Sequence, residues 1–274
     1  MAIVLGENQY GKAENRLVRV ERDGDEHRLV DLSISTALAG DLADTHLTGA
    51  NDKVLATDTQ KNTVLAFARE GVGQIEVYGL RLAKHFVGQL ESIHRARVEI
   101  EQYPWTRLGP HSFSRSGEGT RLATVTYDGS ATVEGGIKDL TVLNTTDSEF
   151  WGYPRDEYTT LPETKDRILA TAVNARWLFS STDVDWGKAY DTARVSLLEA
   201  FANTYSFSLQ QTLYAMGSRV LQTVPEIAEI RLSLPNKHHY LTDLSPFGLD
   251  NPGVVFHVGD RPYGLIEATV KRDS

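Results

Sequence analysis

Gln74–Glu101 reads QIEVYGLRLAKHFVGQLESIHRARVEIE, and the change of hydrophobic period inside it decides the fold. Ile75, Tyr78, Leu82 and Phe86 recur at spacings of three and four, one apolar stripe on a helix predicted over about 74–93. From Arg97 to Glu101 the period drops to two, the mark of a half-buried strand. The same switch occurs in Ser208–Leu234, SLQQTLYAMGSRVLQTVPEIAEIRLSL. There Leu209, Leu213, Met216 and Val220 predict a helix over 208–222, and Glu229–Leu234 alternates.

Outward from these two stretches the elements repeat in one order. Upstream of the first, Arg16–Val20 and Leu29–Ile34 flank Asp23-Gly24-Asp25, which predicts a hairpin. A helix over 59–69 follows, with Asp58 placed to cap it, and a strand over 121–127 comes after the turn-rich Ser116–Gly119. In the second half, strands are predicted at 137–143 and 168–179. A helix over 188–205 carries Tyr190, Ala193, Leu197 and Phe201 on one face, and the last strand is 254–258. Each half is therefore β-β-α-α-β-β, with a boundary near Gly135-Gly136 that gives domains 1–136 and 137–274. Strands adjacent in sequence with short turns favour an antiparallel sheet with the helices on one face, an α+β fold. Free sheet edges recruit partners, so oligomerisation that closes the sheets into a barrel is expected.

Composition narrows the chemistry. The 274 residues carry a net charge of −9, which argues against phosphate-driven nucleic-acid binding. There is no cysteine, so disulfides, zinc–thiolate sites, iron–sulfur clusters and thiol nucleophiles are excluded. No apolar run approaches the ~20 residues of a membrane span. Met1–Leu5 is too short for a signal peptide, and Lys271-Arg272-Asp273-Ser274 is not a Ser-Lys-Leu address; both predict a cytoplasmic protein. Gly-x-Gly-x-x-Gly, P-loop, Gly-x-Ser-x-Gly and His-Glu-x-x-His patterns are all missing. The adjacent His238-His239 would point to opposite faces of a strand and grip one metal poorly. Two blocks stand out, the polar Leu234–Tyr240 and the aromatic Phe150–Tyr153. Taken alone, the first reads as a solvated loop and the second as core more readily than as a site.

At these blocks the chain resembles the urate oxidase (uricase) family. The matching pieces run in order from Tyr10-Gly11-Lys12 and Ala56–Thr63 through Pro110–Phe113. They continue with Leu140–Leu143, Phe150-Trp151-Gly152, Arg155–Leu161 and Asp166–Leu169, and end with Ser233–His238. The resemblance implies tandem tunnelling-fold (T-fold) domains, each a four-stranded antiparallel sheet backed by two helices. Four chains would assemble into a barrel around a central tunnel, with active sites at subunit interfaces and neither metal nor organic cofactor. It implies oxidation of urate by O2 to 5-hydroxyisourate and hydrogen peroxide.

The family's site residues carry over position by position. Phe150 matches the aromatic ring on which the purine stacks, Arg167 the fork that grips one edge, and Gln210 with the Leu209 backbone N–H the opposite edge. Leu161 matches an apolar contact, and Asp58 a backbone N–H donor whose side chain caps the next helix. Lys12, Thr57 and His238 match the proton-handling trio; Thr57 and Asn236 match the groups that hold dioxygen or water. Lys12, Thr57 and Asp58 would come from a neighbouring chain. His239 departs from the aromatic that many members carry there and reads as a surface or interface variant. Two rivals are weighed against this reading. One is another enzyme of the same architecture, such as a pterin aldolase or a cyclohydrolase, of which the cyclohydrolases need a metal that a chain with no cysteine and no histidine cluster does not suit. The other, a catalytically silent purine- or pterin-binding oligomer, is opposed by the intact Lys12, Thr57 and His238.

Overall fold

The computed structural model describes residues 1–22 and 24–273, with every side chain but that of Asp260. The elements are β1 (Asn15–Glu21), β2 (Arg28–Gly40), α1 (Ala43–Leu47), α2 (Thr57–Glu70), α3 (Ile75–Gln89), β3 (Ile93–Gln102), β4 (Trp105–Arg107), β5 (Phe113–Arg115) and β6 (Thr120–Tyr127). They continue as β7 (Ala131–Asn144), β8 (Leu169–Phe179), α4 (Trp186–Asn203), α5 (Leu209–Thr223), β9 (Ile227–Leu241) and β10 (Phe256–Lys271). Among the described residues no helix is long and apolar enough to cross a membrane.

Two compact units divide the chain, Met1–Gly136 with Leu178–Lys188, and Ile137–Trp177 with Ala189–Ser274. In the first, the strand order is β1-β2-β3-β6, every neighbour antiparallel. The hairpin register runs from Asn15 opposite Ile34 to Glu21 opposite Arg28. Asp23 of the predicted turn lies outside the described residues. The stripe of α3 packs on β3 and β6: Ile75, Tyr78, Leu82 and Phe86 are all fully buried, as are Val98 and Val125 beneath them. Gly79 lies on that face because a Cβ there would stand 2.9 Å from the Val125 side chain. Glu76 is buried with them and is paired with Arg121 at 2.9 Å. Burial pushes its carboxyl up against the opposing pull of that guanidinium.

In the second unit the order is β7-β8-β9-β10, with β9 and β10 antiparallel. Helix α5 lies on β9 and β10 and buries Leu209, Leu213, Met216 and Val220; Ala193, Leu197 and Phe201 of α4 are buried too. Tandem α+β units, each with helices on an antiparallel sheet, are the T-fold arrangement.

Several boundaries differ from those the sequence predicts. Helix α3 ends at Gln89, four residues early, because Ile93 already belongs to β3. Strand β7 starts at Ala131, directly after the Asp128-Gly129-Ser130 turn, and runs unbroken through Gly135 and Gly136. The polar block Leu234–Tyr240 is not a loop: β9 continues through it to Leu241. Strand β10 extends to Lys271, where the sequence predicts an end at 258. Cross-strand pairing overrides composition here, since β9 and β10 satisfy one another's backbone over nearly their whole length. The register shifts between Gly259 and Gly264, an irregularity that hid the strand from a period-two reading.

Candidate active site

Lys12, Thr57 and Asp58 are brought together in the first unit. Gly11 passes Thr36 so closely that a Cβ would stand 1.7 Å from the Thr36 carbonyl oxygen, so only glycine lets the chain through. Lys12 then pairs with Thr36 in both directions. The Thr36 N–H donates to the Lys12 carbonyl at 2.9 Å, and the Lys12 N–H donates to Thr36 Oγ1 at 3.2 Å. Thr57 is the first residue of α2 and is half-buried.

Asp58 does not cap that helix. The helix starts earlier than its periodicity predicts, with Ala56 as the N-cap and no side-chain cap bond. Asp58 therefore lies inside the first turn, where its carboxylate faces positions three and four residues on. It accepts from Lys61 Nζ and from Asn62 Nδ2, the latter at 2.9 Å. The Lys61 ammonium holds the Asp58 carboxyl below its usual range, and Lys12 adds to that pull, so the Lys12 charge lies within electrostatic reach of Asp58. With no side-chain cap, the first N–H groups of α2 are available donors, the Asp58 N–H among them.

The second group lies in the second unit. Phe150 is fixed by a two-way backbone bridge with Thr164, at 2.8 and 3.0 Å. Its ring stacks on Tyr153 with centroids 5.0 Å apart and planes 19° apart, and the Tyr153 hydroxyl donates to the Leu161 carbonyl at 2.6 Å. The aromatic block is not core: Phe150 is half-buried, Trp151 is 52% exposed and Leu161 is exposed. Over the Phe150 ring lies Arg167, with its guanidinium carbon 5.2 Å from the centroid. Arg167 donates Nε–H to Ser148 Oγ at 3.1 Å and, among the described residues, forms no ion pair. It is half-buried, and desolvation lowers its pKa while leaving it charged.

His238 stands on β9, two residues beyond Asn236, which pairs across the sheet with Gly264. Burial first, then the Arg167 cation, then His239 push the His238 imidazole below its ordinary pKa, so the neutral ring is favoured. The His239 ring instead turns to the Lys237 carbonyl at 3.0 Å. Leu209 and Gln210 open α5, where Ser208 caps the helix by accepting from the Gln211 N–H at 3.2 Å. Leu209 is buried and Gln210 exposed.

Sequence reasoning missed what ties these pieces together. Ser148, fully buried, forms an isolated bridge with buried Ser206. The Glu149 N–H donates to the Ser206 carbonyl at 2.7 Å, and the Ser206 N–H to the Asp147 carbonyl at 2.8 Å. Ser206 Oγ donates to the Ser208 carbonyl at 3.1 Å and accepts from Thr212 Oγ1 at 2.8 Å. Arg167 is thus linked through Ser148 and Ser206 to the start of α5, where Leu209 and Gln210 stand. Single bridges between turns leave no periodic signal, and small polar residues in turns carry none of their own.

Comparison with known proteins places the whole chain in one family. A sequence model described as uricase matches residues 8–126 and 133–267. The uricase of Arthrobacter globiformis is 52% identical over 274 residues, covering 99% of this chain and 91% of that protein. That of Dictyostelium discoideum is 40% identical over 280 residues, covering 98% and 97%. The crystal structure of the Arthrobacter globiformis uricase superimposes with a TM-score of 0.97 at 51% identity, covering all of this chain and 96% of that one. A uricase from Bacillus fastidious, at 22% identity, shares the fold with a TM-score of 0.82 over 98% of this chain and 94% of its own. The family's matched span takes in the Lys12–Thr57–Asp58 group and the Phe150–Arg167–His238 group alike, and this chain belongs to the uricase family.

Proposed function

We propose that this chain is a urate oxidase that works without metal or organic cofactor, using a site built from the two residue groups above. The observation that carries this reading is Arg167, a half-buried cation with no carboxylate partner among the described residues, lying against the half-buried face of Phe150. A flat anion with acceptors on its edge meets that chemistry: offset stacking on the ring and a bidentate grip by the Arg167 nitrogens that Ser148 leaves open. Gln210 and the Leu209 N–H serve the opposite edge, Leu161 supplies an apolar contact, and the Asp58 N–H supplies a donor.

The chemistry begins with a proton. Urate reduces dioxygen only when electron-rich, so the Thr57 hydroxyl passes a proton from the bound purine to Lys12. Dioxygen, held over the ring by Asn236 and Thr57, takes two electrons from the purine. His238, neutral and beside Arg167, exchanges protons at that face as the reduced oxygen takes up two and leaves as hydrogen peroxide. Water held at the same place adds the hydroxyl. Urate, O2 and H2O thereby become 5-hydroxyisourate and H2O2, with atoms and electrons balanced.

Four chains form the active assembly, in which Lys12, Thr57 and Asp58 of one protomer complete the site of another. Residues 1–136 and 137–274 are the two repeats of each chain. The test is to follow urate absorbance in air with and without a chelator. Chelator-resistant decay with one peroxide per urate is expected. Decay abolished by the chelator would overturn the cofactor-free reading, and binding without decay would make the chain a silent purine binder.

A further inference from the structure

Gln60 takes no part in the chemistry described above, yet it is a fully buried polar side chain in the first turn of α2. Burying an amide costs free energy unless both of its ends are bonded, and both ends are. Its Oε1 accepts from Thr36 Oγ1 at 2.7 Å, and its Nε2 donates to the Leu55 carbonyl at 3.3 Å. Each partner leads back to Lys12. Thr36 Oγ1 accepts the Lys12 N–H at 3.2 Å. Leu55 is held at both its backbone groups by the Tyr10 hydroxyl, which donates to its carbonyl at 3.0 Å and accepts from its N–H at 2.9 Å. Tyr10 stands two residues before Lys12, and Leu55 two before Thr57. The bonds form a closed circuit: Lys12 backbone, Thr36, Gln60, Leu55, Tyr10, and back along the chain to Lys12. Tyr10 is itself tied into β2 by its two-way pairing with Leu38.

We infer that Gln60 is a positioning residue that sets the approach of Lys12 to Thr57. This rests on the reading that those two residues carry the proton. Two segments that meet only through flexible side chains would leave a relay loose, and proton transfer is steep in heavy-atom separation. The amide of Gln60 braces one segment against the other from beneath, and Thr36 and Tyr10 bring that brace to both sides of Gly11.

The test uses the assembled protein and four variants: Gln60→Met, Thr36→Val, Thr36→Ser and Lys12→Ala. Methionine keeps the volume of Gln60 without its bonds, valine the shape of Thr36 without its hydroxyl, and serine keeps the hydroxyl. Gln60→Met and Thr36→Val are expected to lower kcat about tenfold or more while KM for urate stays within about twofold, since the stacking ring and the edge-gripping groups (Phe150, Arg167, Leu209 and Gln210) lie in the other unit and the first unit adds one backbone donor, from Asp58. Thr36→Ser is expected to recover most of kcat. The double variant Gln60→Met/Thr36→Val is expected to lose little beyond either single change, because both cut one circuit. If Lys12→Ala abolishes turnover while Gln60→Met and Thr36→Val keep kcat within about twofold, the inference is wrong and the proton-relay reading stands. If Lys12→Ala itself keeps normal turnover, both fall. A rise in KM that parallels the fall in kcat would mark general loosening and overturn the positioning role. Should Gln60→Met fail to fold, the Thr36 pair decides by the same criteria.

Discussion

The guanidinium of Arg167 lies over the ring of Phe150, its central carbon 5.2 Å from the ring centroid. Phe150 is held at its backbone by Thr164 and through its ring by Tyr153, and Arg167 is held at its Nε by Ser148. The pair is therefore preorganised, and a ligand need not order it on binding.

That preorganisation has a kinetic signature. Arg167→Lys keeps the charge but loses the planar fork, so KM for urate is expected to rise about tenfold or more. Ser148→Ala leaves the fork but frees its Nε. A charge-assisted hydrogen bond is worth about 1.5–3 kcal/mol, part of which the mobile side chain recovers through water, so a KM increase of roughly 3–10-fold is expected. Steady-state kinetics on the two variants checks this; a Ser148→Ala enzyme with unchanged KM would show that the serine does not aim the guanidinium.

His238 gives a pH prediction with a definite sign. Its folded pKa lies below the ordinary 6.5, through burial first and then the Arg167 cation. A histidine held neutral in the fold takes up its proton more readily unfolded, so this group costs stability as pH falls through 6.5 toward the depressed folded value, and costs nothing above 6.5. NMR titration of the His238 ring, assigned by difference from His238→Gln, should give a midpoint below 6.5, and Arg167→Gln should move that midpoint upward. A midpoint at or above the ordinary value would place the ring outside the cationic, desolvated setting described here.

Gly11 predicts a backbone effect. Alanine there would bring a Cβ to 1.7 Å of the Thr36 carbonyl oxygen, a contact that must be relieved by moving Lys12 away from β2. Overpacking of this sort costs about 1–3 kcal/mol, and the displaced lysine should lower kcat by at least an order of magnitude. Denaturant unfolding and turnover of Gly11→Ala measure the two losses separately. A variant with normal stability would mean that the N-terminal segment does not run beside β2.

Most of the architecture was legible in the change of period between helix and strand. Ile75, Tyr78, Leu82 and Phe86 mark α3, and Leu209, Leu213, Met216 and Val220 mark α5, because burial selects those large apolar positions along with Glu76, Gly79 and Ala83 in α3 and Thr212, Gly217 and Leu221 in α5. What was not legible was set by pairing rather than pattern. Asn236 to His238 read as loop, yet their backbone is ladder, bonded to β10 across an irregular register. Asp58 read as a cap because it precedes the apolar stripe, but the helix begins before its stripe does, which turns the carboxylate to Lys61 and Asn62. Phe150, Arg167 and Thr57 could be assigned roles only by resemblance, since their local spacing resembles that of any turn. Ser148, Ser206 and Gln60 had no signal at all, because their role lies in contacts with residues distant in the chain.

The central claim is that residues of two protomers complete one site, and mixing inactive chains tests it most directly. Thr57→Ala and Arg167→Ala chains, each inactive alone, are unfolded together in equal amounts and refolded. Random assortment in a symmetric oligomer restores both residues at about a quarter of the sites, so roughly a quarter of wild-type specific activity is predicted. Mixed assemblies that form but show no activity above the separate variants would contradict the shared site.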